Sequence, residues 1–183
     1  VYKRQAWLLS QWHLDLLSER GAGTGVDLTD TRLEENPNLG WLKLYHIHDF
    51  NPTLDRSGVP RQKVTANRFR AQLRHRIDLQ DIFLGGDSYL DANLTYLSDR
   101  FYLEDYDPEA FRVEPTPDNI LALTHQRGRN LLTLWGRVRP NSFYQTDTRL
   151  PEFALDQIRQ PFLGSRLLHE GLSLIHISEP TRH

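Results

Sequence analysis

Along much of this chain apolar and polar residues alternate one for one, which marks strands with unlike faces rather than helices. The clearest stretch is RFRAQLRHRI, residues 68–77. In an extended chain Arg68, Arg70, Gln72, Arg74 and Arg76 share one side, and Phe69, Ala71, Leu73 and Ile77 share the other. A helix would mix the two sets around its circumference, so the spacing predicts a strand. The same alternation predicts strands elsewhere. In WLLSQWHLDLL, Leu8, Trp12, Leu14 and Leu16 oppose Gln11, His13 and Asp15, and further on Val26 and Leu28 alternate with Asp27 and Thr29. In GWLKLYHIHDF the pattern is less clean, because His46 and His48 follow Leu42 and Leu44 on one face. SYLDANLTYLSD sets Leu90, Ala92, Leu94 and Tyr96 against Asp91, Asn93, Thr95 and Asp99. NILALTHQ and NLLTLWGRVR are joined by Arg127, Gly128 and Arg129, the length and glycine content of a hairpin turn. In the second of these, Leu132, Leu134 and Val138 oppose Thr133, Arg137 and Arg139.

The links between these segments run short (Glu34 to Leu39), long (Asn51 to Asn67), short (Leu79 to Asp87), long (Arg100 to Asp118), short (Arg127 to Arg129) and long again from Pro140. Alternate links of an up-and-down meander lie at opposite ends of the strands, so this order gathers the long loops on one rim. Bacterial outer-membrane barrels have that asymmetry. The segments also approach the length of about nine to eleven residues that a tilted span needs. The expected fold is therefore all-β: an antiparallel up-and-down meander of about seven to eight strands over residues 1–171, a fragment of a large transmembrane outer-membrane β-barrel.

Magnitudes then orient the arginine strand. An arginine facing lipid at the bilayer midplane costs ~2–4 kcal/mol, so four outward would cost on the order of 10 kcal/mol, whereas a watery lumen costs them little. Arg68, Arg70, Arg74, Arg76, Arg137 and Arg139 are accordingly expected to face a lumen. There their planar guanidinium forks suit phosphate, or pair with Asp27, Asp91 or Asp99 on neighbouring strands. A soluble sheet with a solvated arginine face, as in a β-sandwich or carbohydrate-binding module with Tyr102 and Tyr106 stacking on sugar, has the same local pattern.

Composition narrows the classes. Lys and Arg total 22 against 24 Asp and Glu, a net charge of −2, which does not point to a nucleic-acid partner. No run of about 18 apolar residues exists and the mean hydropathy is −0.59, so no transmembrane helix is expected. The absence of cysteine removes disulfides, zinc–thiolate sites and thiol catalysis. The 183-residue chain contains no Met and starts at Val1, so it is expected to be an internal piece of a longer one. LSLIHISEPTR, Leu172 to Arg182, reads as the translation of a transposon-end sequencing adaptor. Residues 172–183 are therefore expected to be a non-native tail, the alternative being a genuine apolar strand over Leu172–Ile177.

From Gly23 to about Leu167 the chain resembles the barrel domain of the LptD family, also called organic solvent tolerance proteins. The carrying stretches are GVDL (Gly25 to Leu28), KLYHIHD (Lys43 to Asp49), RFRAQLRHRIDL (Arg68 to Leu79), LTYLSDRFYLEDY (Leu94 to Tyr106), TRLPEFALD (Thr148 to Asp156) and QPFLGS (Gln160 to Ser165), in that order and spacing. The resemblance implies an early part of a barrel of about two dozen strands in the outer membrane. It implies non-covalent passage of lipopolysaccharide, received from periplasmic Lpt bridge components and delivered to the outer leaflet, around a plug lipoprotein of the LptE type and amid outer-membrane lipid. The family's periplasmic domain, its disulfide cysteines and its barrel-closing strands are missing from this sequence.

Motifs of other chemistries lead elsewhere. GAGTGV (Gly21 to Val26) echoes a dinucleotide loop, yet no helical pattern follows it, and it is read as a glycine hairpin turn. HIHD (His46 to Asp49) offers two histidines on one strand face but no third ligand of suitable spacing, and is read as part of a polar face lining the lumen. No G-x-S-x-G elbow occurs. Glu104, Asp105 and Asp107 are read as solvated charge in a long loop. Trp7, Trp12, Trp41 and Trp135 are candidates for interfacial girdles. Neither an enzyme nor a cofactor is expected.

Overall fold

The structure, a computed structural model, describes residues 7–33, 40–79, 85–144, 151–161, 166 and 168–176. Its strands are β1 (Leu8–Leu17), β2 (Gly21–Asp30), β3 (Trp41–Asp49), β4 (Asn67–Asp78), β5 (Asp87–Leu97), β6 (Ile120–Arg127), β7 (Asn130–Arg137), β8 (Glu152–Pro161) and β9 (Leu168–His176). A 3-10 turn, Thr31–Leu33, follows β2, and two short helices, α1 (Tyr102–Tyr106) and α2 (Pro108–Val113), lie between β5 and β6. The strands form one antiparallel up-and-down sheet in the order β1 to β9, with β1 and β9 as its outer strands, so it is not closed into a barrel. They are eight to twelve residues long, against about five to six for an average strand. No helix among the described residues is long and apolar enough to cross a membrane.

The expected strands are present, and the Gly128–Arg129 turn joins β6 to β7 with Gly128 at φ 60° and Arg127 paired to Asn130. Two further strands follow. β8 takes up Glu152 to Asp156 of TRLPEFALD, and β9 pairs with β8 from Leu168 to His176, across the boundary expected at residue 172. An alternating segment can satisfy its backbone against the open edge of β8 whatever its origin. The link Glu34 to Leu39, the beginning of TRLPEFALD, residues 162–165 of QPFLGS and the tail from residue 177 lie outside the described residues.

Two compact units are distinguished: Val1–His75 with Asn93–Asp118 and Arg139–Thr146, and Arg76–Ala92 with Asn119–Val138 and Asp147–His183. In the first, register aligns side chains into rows. Trp12 lies opposite Val26, Val26 opposite Leu44, and Leu44 opposite Ala71, an apolar row. On the other face Asp15 lies opposite Gly23, Gly23 opposite Ile47, and Ile47 opposite Arg68. A shift of one residue would turn every side chain over, so the two unlike faces pin the register.

The glycine-rich stretch corrects the sequence reading: Gly21 to Val26 is strand, and the turn is Ser18–Arg20. Extended glycine is costly without a reason, and the reason is Tyr45. A Cβ on Gly25 would stand 2.6 Å from the Tyr45 ring and 2.8 Å from the Leu44 carbonyl oxygen, and one on Gly23 would collide with the Tyr45 hydroxyl. The missing side chains let the phenol lie flat across β2.

The first unit buries its apolar core on the face that carries the arginines. Ile47, Leu97, Tyr102 and Leu103 form that core, with Tyr106, Ala110 and Phe111 packed against it. It exists because the Arg100–Asp118 connection is helical and lies on the sheet. The local sequence supports α2: Asp107 accepts from the Ala110 amide at 3.0 Å as N-cap, and Pro108 takes the first turn. Asn141 continues β5, accepting from the Leu97 amide at 2.9 Å and donating to the Thr95 carbonyl at 2.8 Å.

Among the described residues, nothing covers the opposite face. Trp12, Leu14 and Leu16 are 76%, 77% and 80% exposed, and Leu44 and Phe69 are also open. A β-sandwich would bury Phe69 against a second sheet; the described residues form a single one. In the second unit Thr124 and Glu152 are buried while Leu134 and Leu155, which lie on the other side of the strands, are exposed.

Candidate functional site

Arg68 is the hub of the charged face. β4 points it inward beside Ile47, and its side chain has no solvent exposure. Its Nε and Nη2 donate to the two oxygens of Asp99 at 2.9 and 2.8 Å, and its Nη1 donates to Asp49 at 3.1 Å and to Asp105 at 2.5 Å. Arg20, from the β1–β2 turn, reaches Asp49 at 3.2 Å and Asp105 at 3.0 Å, and donates to the Leu54 and Asp55 carbonyls. Arg61, from the β3–β4 connection, also pairs with Asp105. Three guanidinium groups thus meet three carboxylates, a composition that a buried charge cluster needs if desolvation is to be offset.

Aromatic faces complete the surroundings. The Arg68 guanidinium lies 4.9 Å from the Tyr106 ring centre and 5.9 Å from that of Tyr102. Burial pushes the Tyr106 phenol up to about 12, with neighbouring Asp49 adding to the shift. Burial also raises Tyr102, although Arg70 and Arg68 pull the other way, and it raises Tyr144. Tyr102 is 1% exposed and so offers no ring face for a sugar to stack on.

Asp105 corrects the reading of Glu104, Asp105 and Asp107 as solvated charge. Glu104 is exposed, but Asp105 is buried against three arginines and Asp107 binds Arg70 as well as capping α2. Arg20, Arg61 and Asp105 are absent from the sequence-level candidates, since residues in separate connections show no mutual spacing. α2 did carry a signal, the run Asp107-Pro108-Glu109.

The six arginines singled out from the sequence have separate situations. Arg68 and Arg70 are held by aspartates. Arg76 donates to both oxygens of Asp91 at 2.6 and 2.7 Å and lies 4.1 Å from the Tyr89 ring centre. Arg74 is half-buried opposite Trp41, and its carbonyl accepts from the Gly40 amide at 2.8 Å. Arg137 is half-buried opposite Ile120, and exposed Arg139 donates to the Ser142 carbonyl at 2.8 Å. Two of the expected carboxylate partners, Asp91 and Asp99, are indeed bound to arginine. Asp27 instead lies 3.3 Å from His13 and 3.9 Å from Lys43. Close by, Tyr45 donates to Asp15 at 2.6 Å, and an open cleft of about 300 Å³ runs between Asp15, Asp27, Lys43, Tyr45 and Arg70.

His46 and His48 lie on the opposite side from Arg68. His46 sits opposite Phe69 and His48 opposite Asn67, with His48 Nδ1 and Asn67 Oδ1 2.8 Å apart, so both extend the apolar row of Leu42 and Leu44 rather than line the charged face. Among the described residues no group of three or more potential ligands could hold a metal. The tryptophans divide too: Trp12 is on the apolar face, Trp41 and Trp135 share faces with Arg74 and Arg137, and Trp7 lies beneath Arg32 at 5.1 Å.

No family model matches the sequence, and neither a curated protein nor a solved structure matches it.

Proposed function

We propose that this chain is part of the wall of an outer-membrane β-barrel, in a translocon that assembles lipopolysaccharide into the outer leaflet without covalent chemistry. The observation that carries the reading is an inversion. Asp49 and Arg68 are 1% and 0% exposed on one face of the first unit, while Trp12, Leu14 and Leu16 stand more than three-quarters exposed on the other. In water such an apolar surface is a liability; facing hydrocarbon, with the ions turned to an interior, it is the stable arrangement. Strand lengths near those of tilted spans support the same reading.

The cargo and its partners rest on the resemblance to the LptD family: lipopolysaccharide as substrate, a plug lipoprotein of the LptE type inside, and periplasmic Lpt components upstream. The charged face suits an anionic glycolipid through its guanidinium groups. Arg68, Arg70 and Arg76 hold neighbouring carboxylates, so their role toward cargo is to keep the face ionic and shaped. The test is the Arg74→Glu, Arg76→Glu double variant in the full-length protein. Reduced photocrosslinking to lipopolysaccharide and reduced surface export are expected; unchanged crosslinking and export would remove the cargo role.

A further inference from the structure

The apolar face of the first unit is not smooth. A groove of about 320 Å³ crosses it from β1 to β4, walled by Trp12, Leu44 and Phe69, with Val26, Ala71 and Thr24 along its floor. Three strand spacings of about 4.8 Å give it a run of roughly 14 Å. The floor is low because Ala71 has only a short side chain, and Phe69 is propped at the far wall by Tyr96, ring centres 5.5 Å apart.

Apart from His46, its polar side chains are already committed. The Thr24 hydroxyl donates to the His13 carbonyl at 3.3 Å, leaving its methyl for the groove. Arg70 also borders the groove, but its guanidinium is bound to Asp107 on the other face. An extended peptide laid here would bury its own amides and carbonyls without partners, which an apolar medium penalises heavily. A helix about 10 Å across would seat only one side in so open a groove and leave the rest of its surface uncovered. A hydrocarbon chain has neither problem. At about the volume of a water per methylene, roughly 30 Å³, the groove takes on the order of ten of them.

From this we infer that the groove between Trp12 and Phe69 is a binding site for one acyl chain of a bilayer phospholipid, whose headgroup end lies toward His46. His46 borders the groove and gives it a polar edge whose imidazole could pair with a lipid phosphate or ester. The inference rests on the reading that this face meets hydrocarbon. It adds that one lipid is held here more tightly than its neighbours.

The test uses the 183-residue chain with Trp12 as its only tryptophan, the other three changed to Phe, in mixed micelles of dodecylmaltoside and phosphatidylcholine brominated along its acyl chains. Trp12 fluorescence should be quenched at least fivefold more than its mole-fraction share of brominated lipid dictates, and native mass spectrometry should retain one phospholipid. Ala71→Leu, which raises the floor, and Phe69→Ala, which removes a wall, should each cut retention about fivefold; the second variant keeps the test open should the first misfold. Quenching in simple proportion to mole fraction, with retention unchanged in both variants, would overturn the groove while leaving the membrane face standing. No quenching of Trp12 by any brominated lipid would overturn both.

Discussion

Arg68 grips Asp99 through two parallel bonds, 2.9 and 2.8 Å long, and in doing so ties the start of β4 to the residue that opens the α1–α2 connection. Asp99 also accepts from the Phe101 amide at 3.0 Å, so the same carboxylate fixes the chain as it enters α1. One guanidinium therefore docks a whole connection onto the sheet.

Replacing Arg68 by Met should free that connection. Two carboxylates with fully buried side chains, Asp49 and Asp105, would lose one of the two arginines they share and keep Arg20, so the loss should stay below the roughly 3–5 kcal/mol of a buried charge left without any partner. Hydrogen exchange should show the α1 and α2 amides losing protection while β1 to β3 keep theirs. Arg68→Lys should recover only part of the loss, since an ammonium cannot fork across Asp99 and reach Asp49 and Asp105 together. Full protection in the Met variant would mean that the apolar packing of Tyr102 and Leu103 suffices by itself.

The two strand glycines should differ in sensitivity. Gly23→Ala strikes the far end of the Tyr45 side chain, which can swing away at the expense of its bond to Asp15. Gly25→Ala meets the Leu44 carbonyl as well as the ring, and backbone cannot yield so readily. The expected loss is about 1–3 kcal/mol at Gly25, in the range of overpacked sites, and less at Gly23. Tyr45→Leu should rescue Gly23→Ala more fully than Gly25→Ala in a double-mutant cycle. Equal losses at the two positions would contradict this account of the glycines.

High pH should loosen the core of the first unit. Tyr102, Tyr106 and Tyr144 stay protonated when folded beyond the ordinary tyrosine value of about 10. Their raised values contribute stability that is complete below about pH 10 and is lost as pH climbs through the folded values, because only the unfolded chain ionises there. Thermal denaturation in detergent should fall in midpoint from about pH 10 upward. Tyr106→Phe should weaken that slope; an identical alkaline slope in the variant would exclude Tyr106 as a contributor.

In detergent-free buffer the chain should aggregate. It exposes the apolar face described above and two outer strands whose backbone groups are open to pairing. Sedimentation with and without dodecylmaltoside checks this, and a monodisperse monomer in plain buffer would favour a water-soluble β domain.

How much of this was legible in the sequence depends on the range of the interaction. β4 was readable because a strand's faces alternate every residue, and Arg68 to Arg76 write that alternation in full charges. The β6–β7 turn was readable from Gly128. The glycines of β2 were misread as a turn because what they accommodate, Tyr45, lies twenty and more residues away and only register brings it near. Asp105 was misread for a related reason: its partners Arg20, Arg61 and Arg68 come from three separate places in the chain. Alternation places His46 and His48 with Leu42 and Leu44, and it is their polarity alone that suggests the lumen; register bears out the alternation.

The most direct measurement exploits the absence of cysteine from the sequence. Single cysteines at Leu14 and Leu44 on the apolar face, and at Lys43 and Gln72 on the charged face, would be treated in intact outer-membrane vesicles with a water-soluble maleimide. Positions 43 and 72 should label and positions 14 and 44 should stay protected until detergent is added. Rapid labelling at 14 and 44 in the intact membrane would contradict the assignment of this face to hydrocarbon.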